Sequence, residues 1–234
     1  MIGSTVLEIV LGAVISIVIT VIVERTKKPS LYLSVGKPYD ANSEQIRTLN
    51  KDAGNIVPFG KRHRHLYVYV GNRSVNRLFR WCFYRETAIQ CRAEITFHYM
   101  DGRRVFEHPM PARWAGSANP SLPVIHFDKR EGYIVDPARL SFESRMDIRP
   151  GTEEGLDTVV RFDVDDACFG WNNESTFQGL RHPQWRLPDD RYLMKVTVIS
   201  SGDRVSGIFC LFNNPNLDSF RIELATDDER KRVR

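Results

Sequence analysis

The sequence predicts a mainly β chain: an antiparallel β-sandwich-like domain preceded by one N-terminal transmembrane α-helix. Three observations carry this reading. One is an uncharged run from Ile9 to Val23. Another is the period-two alternation of apolar residues, strongest from Ile89 to Tyr99. The third is that strand-like segments recur about every 10–20 residues, with turn residues and no long helix between them.

The helix comes first. Thr5 to Val23 carries only Glu8, and Val, Ile and Leu occupy every face of the helix it would form. Roughly 20 residues cross a bilayer core of about 30 Å, so the stretch from Ile2 to Val23 has the length of a span. A helix on the surface of a soluble protein would keep a polar side. A secretory signal would carry a basic start and a small-residue cleavage site. Neither is present, so a retained anchor is expected. Arg25, Lys27 and Lys28 follow it, and no Lys or Arg precedes it. Positively charged flanks stay cytoplasmic. The expected topology is N-terminus outside and C-terminal domain in the cytoplasm, as in a bacterial inner-membrane protein.

Within the helix, Ser4, Glu8, Gly12, Ser16, Thr20 and Glu24 recur at every fourth position. Small and polar residues so spaced form one stripe along which two helices can approach closely in lipid. Glu8, Gly12, Ser16 and Thr20 are therefore candidate packing residues for a homo-oligomer, and an ionisable Glu8 favours an interior or watery site. The expected division is residues 1–4 outside, 5–23 in the membrane, and 24–30 as a basic linker. Residues 31–224 form the sandwich-like domain, and 225–234 a charged tail.

Charge is uneven. Residues 1–117 carry 17 Lys and Arg against 9 Asp and Glu, net +8; residues 118–234 carry 16 against 20, net −4. A basic half beside an anionic leaflet is attracted to it, although ion pairs with the acidic half also consume such charge. Nucleic acid is not an expected partner. The four cysteines form no C-x-x-C pair and no framework of the kind secreted domains use. Cys91 and Cys210 fall on the apolar parity of their strands and read as small core residues.

The strands follow in order. Leu31, Leu33 and Val35 alternate with polar residues, and Asp40 to Asn55 reads as a loop. Leu66 to Val70 is a second strand, and Leu78 to Tyr84 a short helix or irregular aromatic segment. Ile89 to Tyr99 ends at Asp101-Gly102, with Arg104-Val105-Phe106 as a hairpin return. Val124 to Phe127, Arg139 to Phe142, Met146 to Ile148 and Leu156 to Phe162 are further candidates. In "LPDDRYLMKVTVIS", residues 187–200, Tyr192 precedes alternating Met194, Val196 and Val198. This stretch resembles the tyrosine corner of immunoglobulin-like and fibronectin type III sandwiches, which implies that the Tyr192 hydroxyl ties back to nearby backbone. Met194 stands where antibody domains carry Cys, so no inter-sheet disulfide is implied. Val205 to Phe212 supplies the hairpin partner.

Motifs that would declare an enzyme are missing: no phosphate loop, nucleophile elbow, H-E-x-x-H or zinc framework occurs. No cofactor is expected. Asp163 to Asp166 reads as an acidic turn rather than a calcium loop, since Cys168 stands where that loop needs Gly. His63 and His65 share a face of any extended segment, and "GKRHRH" reads as a solvated basic loop. Trp171, Asn172 and Asn173, with Trp185 in a neighbouring Pro-rich loop, make the candidate recognition loop for a protein or small ligand. The functional expectation is a single-pass membrane protein presenting a binding or scaffolding module. The rivals are a tethered enzyme built around His182, Asp163 or Glu174, and an effector acting through oligomerisation of its helix.

Overall fold

The structure is a computed structural model and describes residues 2–42, 62–79, 81, 83–117, 125–127, 130–132, 144–177, 180–201 and 203–233. The first helix, α1, spans Ile2–Lys27. The first half of the domain holds β1 (Leu31–Val35), β2 (Tyr39–Asn42), β3 (Arg62–Asn72) and β4 (Ala88–Tyr99). Four short strands follow: β5 (Met110–Pro111), β6 (Arg113–Trp114), β7 (Ile125–Phe127) and β8 (Arg130–Gly132). Then come β9 (Met146–Ile148), β10 (Glu153–Phe162), β11 (Ala167–Gly170) and the short helix α2 (Asn173–Phe177). The chain closes with β12 (Arg186–Pro188), β13 (Asp190–Ile199), β14 (Arg204–Asn213), β15 (Arg221–Leu224) and α3 (Asp227–Arg232).

Two antiparallel sheets pack together as a sandwich. One runs β1-β3-β10-β11-β12, with β2 also on β3 and β6 also on β10. The other runs β15-β14-β13-β4-β5, with β9 also on β4. Alternation sets what each strand buries. Leu66, Val68 and Val70 of β3 and Leu156 and Val159 of β10 face Cys91, Ile95 and Phe97 of β4 and Met194, Val196 and Val198 of β13. The register puts Met194 opposite Phe97 and Phe209, and Val196 opposite Ile95, so like faces align across the second sheet.

One end of the sandwich is closed by a polar knot. Tyr192 Oη donates to the Pro188 carbonyl at 3.0 Å, the tie the tyrosine-corner resemblance implied. Asn213 Nδ2 donates to the carbonyls of Leu187 and Pro188. Arg161, almost wholly buried, donates to Asp189 Oδ1 and Asn213 Oδ1, each at 2.6 Å, and to the Asp165 carbonyl. On the second sheet's outer face, α3 is fixed by a capping box between Thr226 and Glu229. Leu193, Ala225 and Val233 form a small cluster with Met100 and Ile208.

Several expectations change. Tyr39 to Asn42 is not loop but β2, paired with β3 from Tyr39 opposite His65 to Asn42 opposite Arg62; residues 43–55 of the expected loop lie outside the described residues. The turn at Asp101-Gly102 forms, with Gly102 at φ +91°. Its return is a single bridge, His98 with Arg104, plus the Val105 amide to the Phe97 carbonyl at 2.9 Å. Met110 and Pro111 take the pairing further along β4. The segment Arg139 to Phe142 and the residue Cys82 lie outside the described residues. As for the expected span, among the described residues no helix is long and apolar enough to cross a membrane. The side chains of α1 are described from Val10 onward, and the helix from there closes in Glu24, Arg25 and Lys27.

Candidate functional site

The outer face of the first sheet gathers the side chains that the core does not explain. Opposite to Leu66, Val68 and Val70, β3 presents His63, His65, Tyr67 and Tyr69. The sequence "RHRHLYVYV" is thus a strand with one aliphatic and one aromatic face. His63 and His65 are not in a solvated loop: they are 2% and 4% exposed. Pairing with β10 sets Tyr67 beside Asp157, His65 beside Val160 and His63 beside Phe162. A β-bulge at Thr158 lets β10 switch partners along that edge. Leu156 and Asp157 pair with β6, and Val159 to Arg161 pair with β11. The bulge is held by Thr158 Oγ1 to the Leu66 carbonyl and by the Trp171 amide to the Thr158 carbonyl. Trp171 is therefore steered back over the sheet.

The rings form a connected group. Trp171 lies 4.4 Å from His65 and 6.2 Å from Tyr67, centroid to centroid. His65 meets His63 edge-on at 4.8 Å, and His63 meets Phe162 at 5.2 Å. Tyr39 of β2 stands 6.0 Å from His65 and is more than half exposed, so the group reaches solvent there. Arg113 completes it: Nη1 donates to Asp157 Oδ2 at 2.6 Å, Nη2 to the Ser117 carbonyl, and its guanidinium sits 5.8 Å from the Trp171 ring. A cation this close to an indole face is attracted by the ring quadrupole.

Burial governs the electrostatics. It pushes His65 down to about 3, with His63 adding to the effect, and lowers His63 as well. Both rings are therefore neutral at pH 7. Burial raises the Asp157 carboxyl to about 7, against the pull of Arg113. Tyr67 is also raised, by burial first and then by Asp157. Among the described residues, His63 Nδ1, His65 Nδ1, Trp171 Nε1, Asn172 Nδ2 and Asp157 Oδ1 are buried without a hydrogen-bond partner.

The expected recognition loop divides. Trp171 joins the aromatic group. Asn172 is a buried brace, its Oδ1 accepting from the Ser175 amide and hydroxyl at 2.8 and 2.9 Å. Asn173, 8% exposed, opens α2. Trp185 is core, 2% exposed and edge-on to Phe106 at 5.1 Å. Of the residues named for a tethered enzyme, Glu174 lies in α2 and the other two accept hydrogen bonds from backbone amides. His182 Nδ1 accepts from the Gln184 amide, and Asp163 Oδ2 accepts from the Arg62 amide. In the acidic turn, Asp165 is gripped by Arg181 and Asp166 by Arg186. Among the described residues no group of His, Cys, Asp and Glu is placed to hold a metal.

Cys91 lies in the main core, as its parity predicts. Cys210 is buried too, its sulfur accepting from Arg191 Nε. In α1, Thr20 Oγ1 donates to the Ser16 carbonyl, and Gly12 has open space where a Cβ would sit. Glu8 has its side chain outside the described residues. Lys27 pairs with Glu24 at 3.1 Å; Arg25 and Lys28 are exposed beside it. Sequence reasoning missed Arg113 and Asp157, which are 44 residues apart and meet only through the β6–β10 pairing. The signal for the histidines was available in the parity they share with Tyr67 and Tyr69. No family model, curated protein or solved structure matches the chain.

Proposed function

We propose that this chain is a single-pass membrane protein that holds its β-sandwich at the cytoplasmic face as a binding or scaffolding module. The observation that carries the anchor is the exposure of α1 on all sides. Val14, Ile15, Ile17, Val18 and Ile19 are each at least half exposed. Every residue from Val10 to Ile22 is exposed, and because successive helical residues advance by about 100°, that run covers the whole circumference, with Gly12, Ala13, Ser16 and Thr20 on the side these five leave open. An exposed helix with Val, Ile and Leu on most of its surface belongs in a protein core or a membrane, and among the described residues none of the sandwich buries this one between Val10 and Ile22. The sequence extends the apolar stretch upstream through Ile2, Val6, Leu7 and Ile9. The basic flank Arg25, Lys27 and Lys28 supports the inward orientation.

The module's binding face is the aromatic surface on the first sheet, where Tyr39, Tyr67 and Trp171 stand over His65 and Arg113. Aromatic side chains with an adjacent arginine are the groups that dominate binding energy at interfaces. The experiment is in-cell photocrosslinking with a benzophenone amino acid placed at Tyr67, with Lys195 on the opposite sheet as control. A discrete adduct from Tyr67 alone is expected. Adducts at both positions, or at neither, would overturn the assignment of this face. The anchor has its own test: the full chain should stay in the membrane pellet after alkaline carbonate, and release would overturn it.

A further inference from the structure

The connection from β3 to β4 exposes three large apolar side chains in sequence: Leu78 at 74%, Trp81 at 86% and Tyr84 at 61%. Nothing in the sandwich requires them outside, and exposed aromatic groups of this kind mark contact surfaces. Their location is what distinguishes them. Asn72, fully buried at the end of β3, ties this connection to the exit of α1. Its Oδ1 accepts from the Ser30 amide at 3.0 Å, and its Nδ2 donates to the Glu86 carbonyl at 2.9 Å. The Glu86 amide in turn donates to the Lys27 carbonyl at 2.7 Å, and the Arg73 amide to the Ser30 carbonyl. Lys27 Nζ sits 5.7 Å from the Tyr84 ring.

These ties fix the height of the connection relative to the anchor. Lys27 lies four residues beyond Val23, the last apolar residue of the helix, which is about 6 Å along the axis. That is headgroup depth, and Tyr84 is beside it. Trp81 is three residues away, within about 11 Å of chain. Arg25, Lys28, Arg73 and Arg77 are exposed around the same place. Trp and Tyr concentrate at membrane interfaces, where an amphipathic ring bridges headgroup and acyl chain. Lys and Arg close to an anionic leaflet are attracted to it.

We propose that Leu78, Trp81 and Tyr84 form an interfacial foot that seats in the headgroup region of an anionic leaflet beside the end of α1. The foot gives the sandwich a fixed orientation on the membrane rather than leaving it swinging from residues 28–30. This inference rests on the anchor reading; its occupant is the lipid surface.

The test uses the full chain in vesicles of phosphatidylcholine and phosphatidylglycerol, with plain or brominated acyl chains. Bromine quenches only tryptophans at the bilayer. Trp114 and Trp185 are buried in the sandwich core and Trp171 lies on the outer face of the first sheet. Wild-type emission should fall in brominated vesicles, and Trp81→Phe should lose most of that lipid-dependent quenching. Equal quenching in the two proteins, or none in either, with the chain retained after carbonate, would overturn the foot and leave the anchor standing. Release by carbonate would overturn both. A Trp81 emission that ignores brominated lipid but shifts with protein density would assign these side chains to a second copy of the chain, and so overturn the lipid assignment.

Discussion

Replacing His65 by Phe should flatten the acid sensitivity of the fold. The ring is 4% exposed, tilted against Trp171 at 4.4 Å and edge-on to His63, with Tyr39 and Tyr67 on its flanks. Burial holds it near 3 when folded, against an ordinary value of 6.5. The unfolded chain therefore takes up a proton at His65 that the folded chain refuses. The stability due to the neutral ring is fully present above pH 6.5 and is lost as pH falls from 6.5 toward 3. At pH 5, one and a half pH units below the unfolded value, the loss is about 2 kcal/mol. His63 acts in the same direction. Asp157 acts in the opposite one: its carboxyl is raised to about 7, so its contribution is present below the ordinary carboxylate range and is lost as pH rises toward 7. Both remain in the variant and largely cancel in the comparison. Phe fills the ring's space without an unpartnered Nδ1, so the two proteins should be similar near pH 7. The assay is urea unfolding of the full chain in mild detergent, followed by tryptophan emission at pH 7 and pH 5. Between those values the wild type should lose about 2 kcal/mol more than His65→Phe. Parallel losses would refute the claim that this ring is buried and neutral.

At pH 7 Arg113→Met alone should destabilise the fold by about 1–3 kcal/mol, because it leaves the buried Asp157 carboxyl without its partner and forces it to take up a proton; adding Asp157→Leu should recover most of that loss in the same unfolding assay. Tyr192→Phe should cost about 1 kcal/mol, since the Pro188 carbonyl keeps its bond from Asn213 when the hydroxyl is lost. Gly102→Ala should cost about 2 kcal/mol, because φ is +91° there and a Cβ would run into the Arg232 carbonyl. Its effect should appear as fraying of α3 in hydrogen exchange before it appears as global unfolding.

Much of the sandwich is legible in the sequence because its long strands alternate. Ile89 to Tyr99, Tyr192 to Val198 and Leu66 to Val70 each show the core face in their even spacing, and the two sheets form around them. What alternation could not reveal is pairing. Tyr39 to Asn42 is polar in sequence, and it is a strand only because β3 offers it a free edge. The short strands β5 and β6 carry no period at all and exist through their partners on β4 and β10. The same limit hid the candidate site. Its histidines were visible but looked solvated, because Arg62 and Arg64 interleave with them on the opposite face. Its charge pair was invisible, since Arg113 and Asp157 are joined only by the β6–β10 register. Trp171 was visible as a loop aromatic, and only the bulge at Thr158 explains why it folds back over His65.

The inward orientation of the sandwich is the claim on which the rest of the functional reading hangs, and impermeant thiol labelling at Lys37 tests it most directly. Lys37 is exposed just beyond β1 on the domain side of α1. Lys37→Cys, with the wild-type signal subtracted, should resist an impermeant maleimide in intact cells and label fully once the membrane is opened. Labelling of intact cells to the same extent would place the sandwich outside and contradict the topology that Arg25, Lys27 and Lys28 imply.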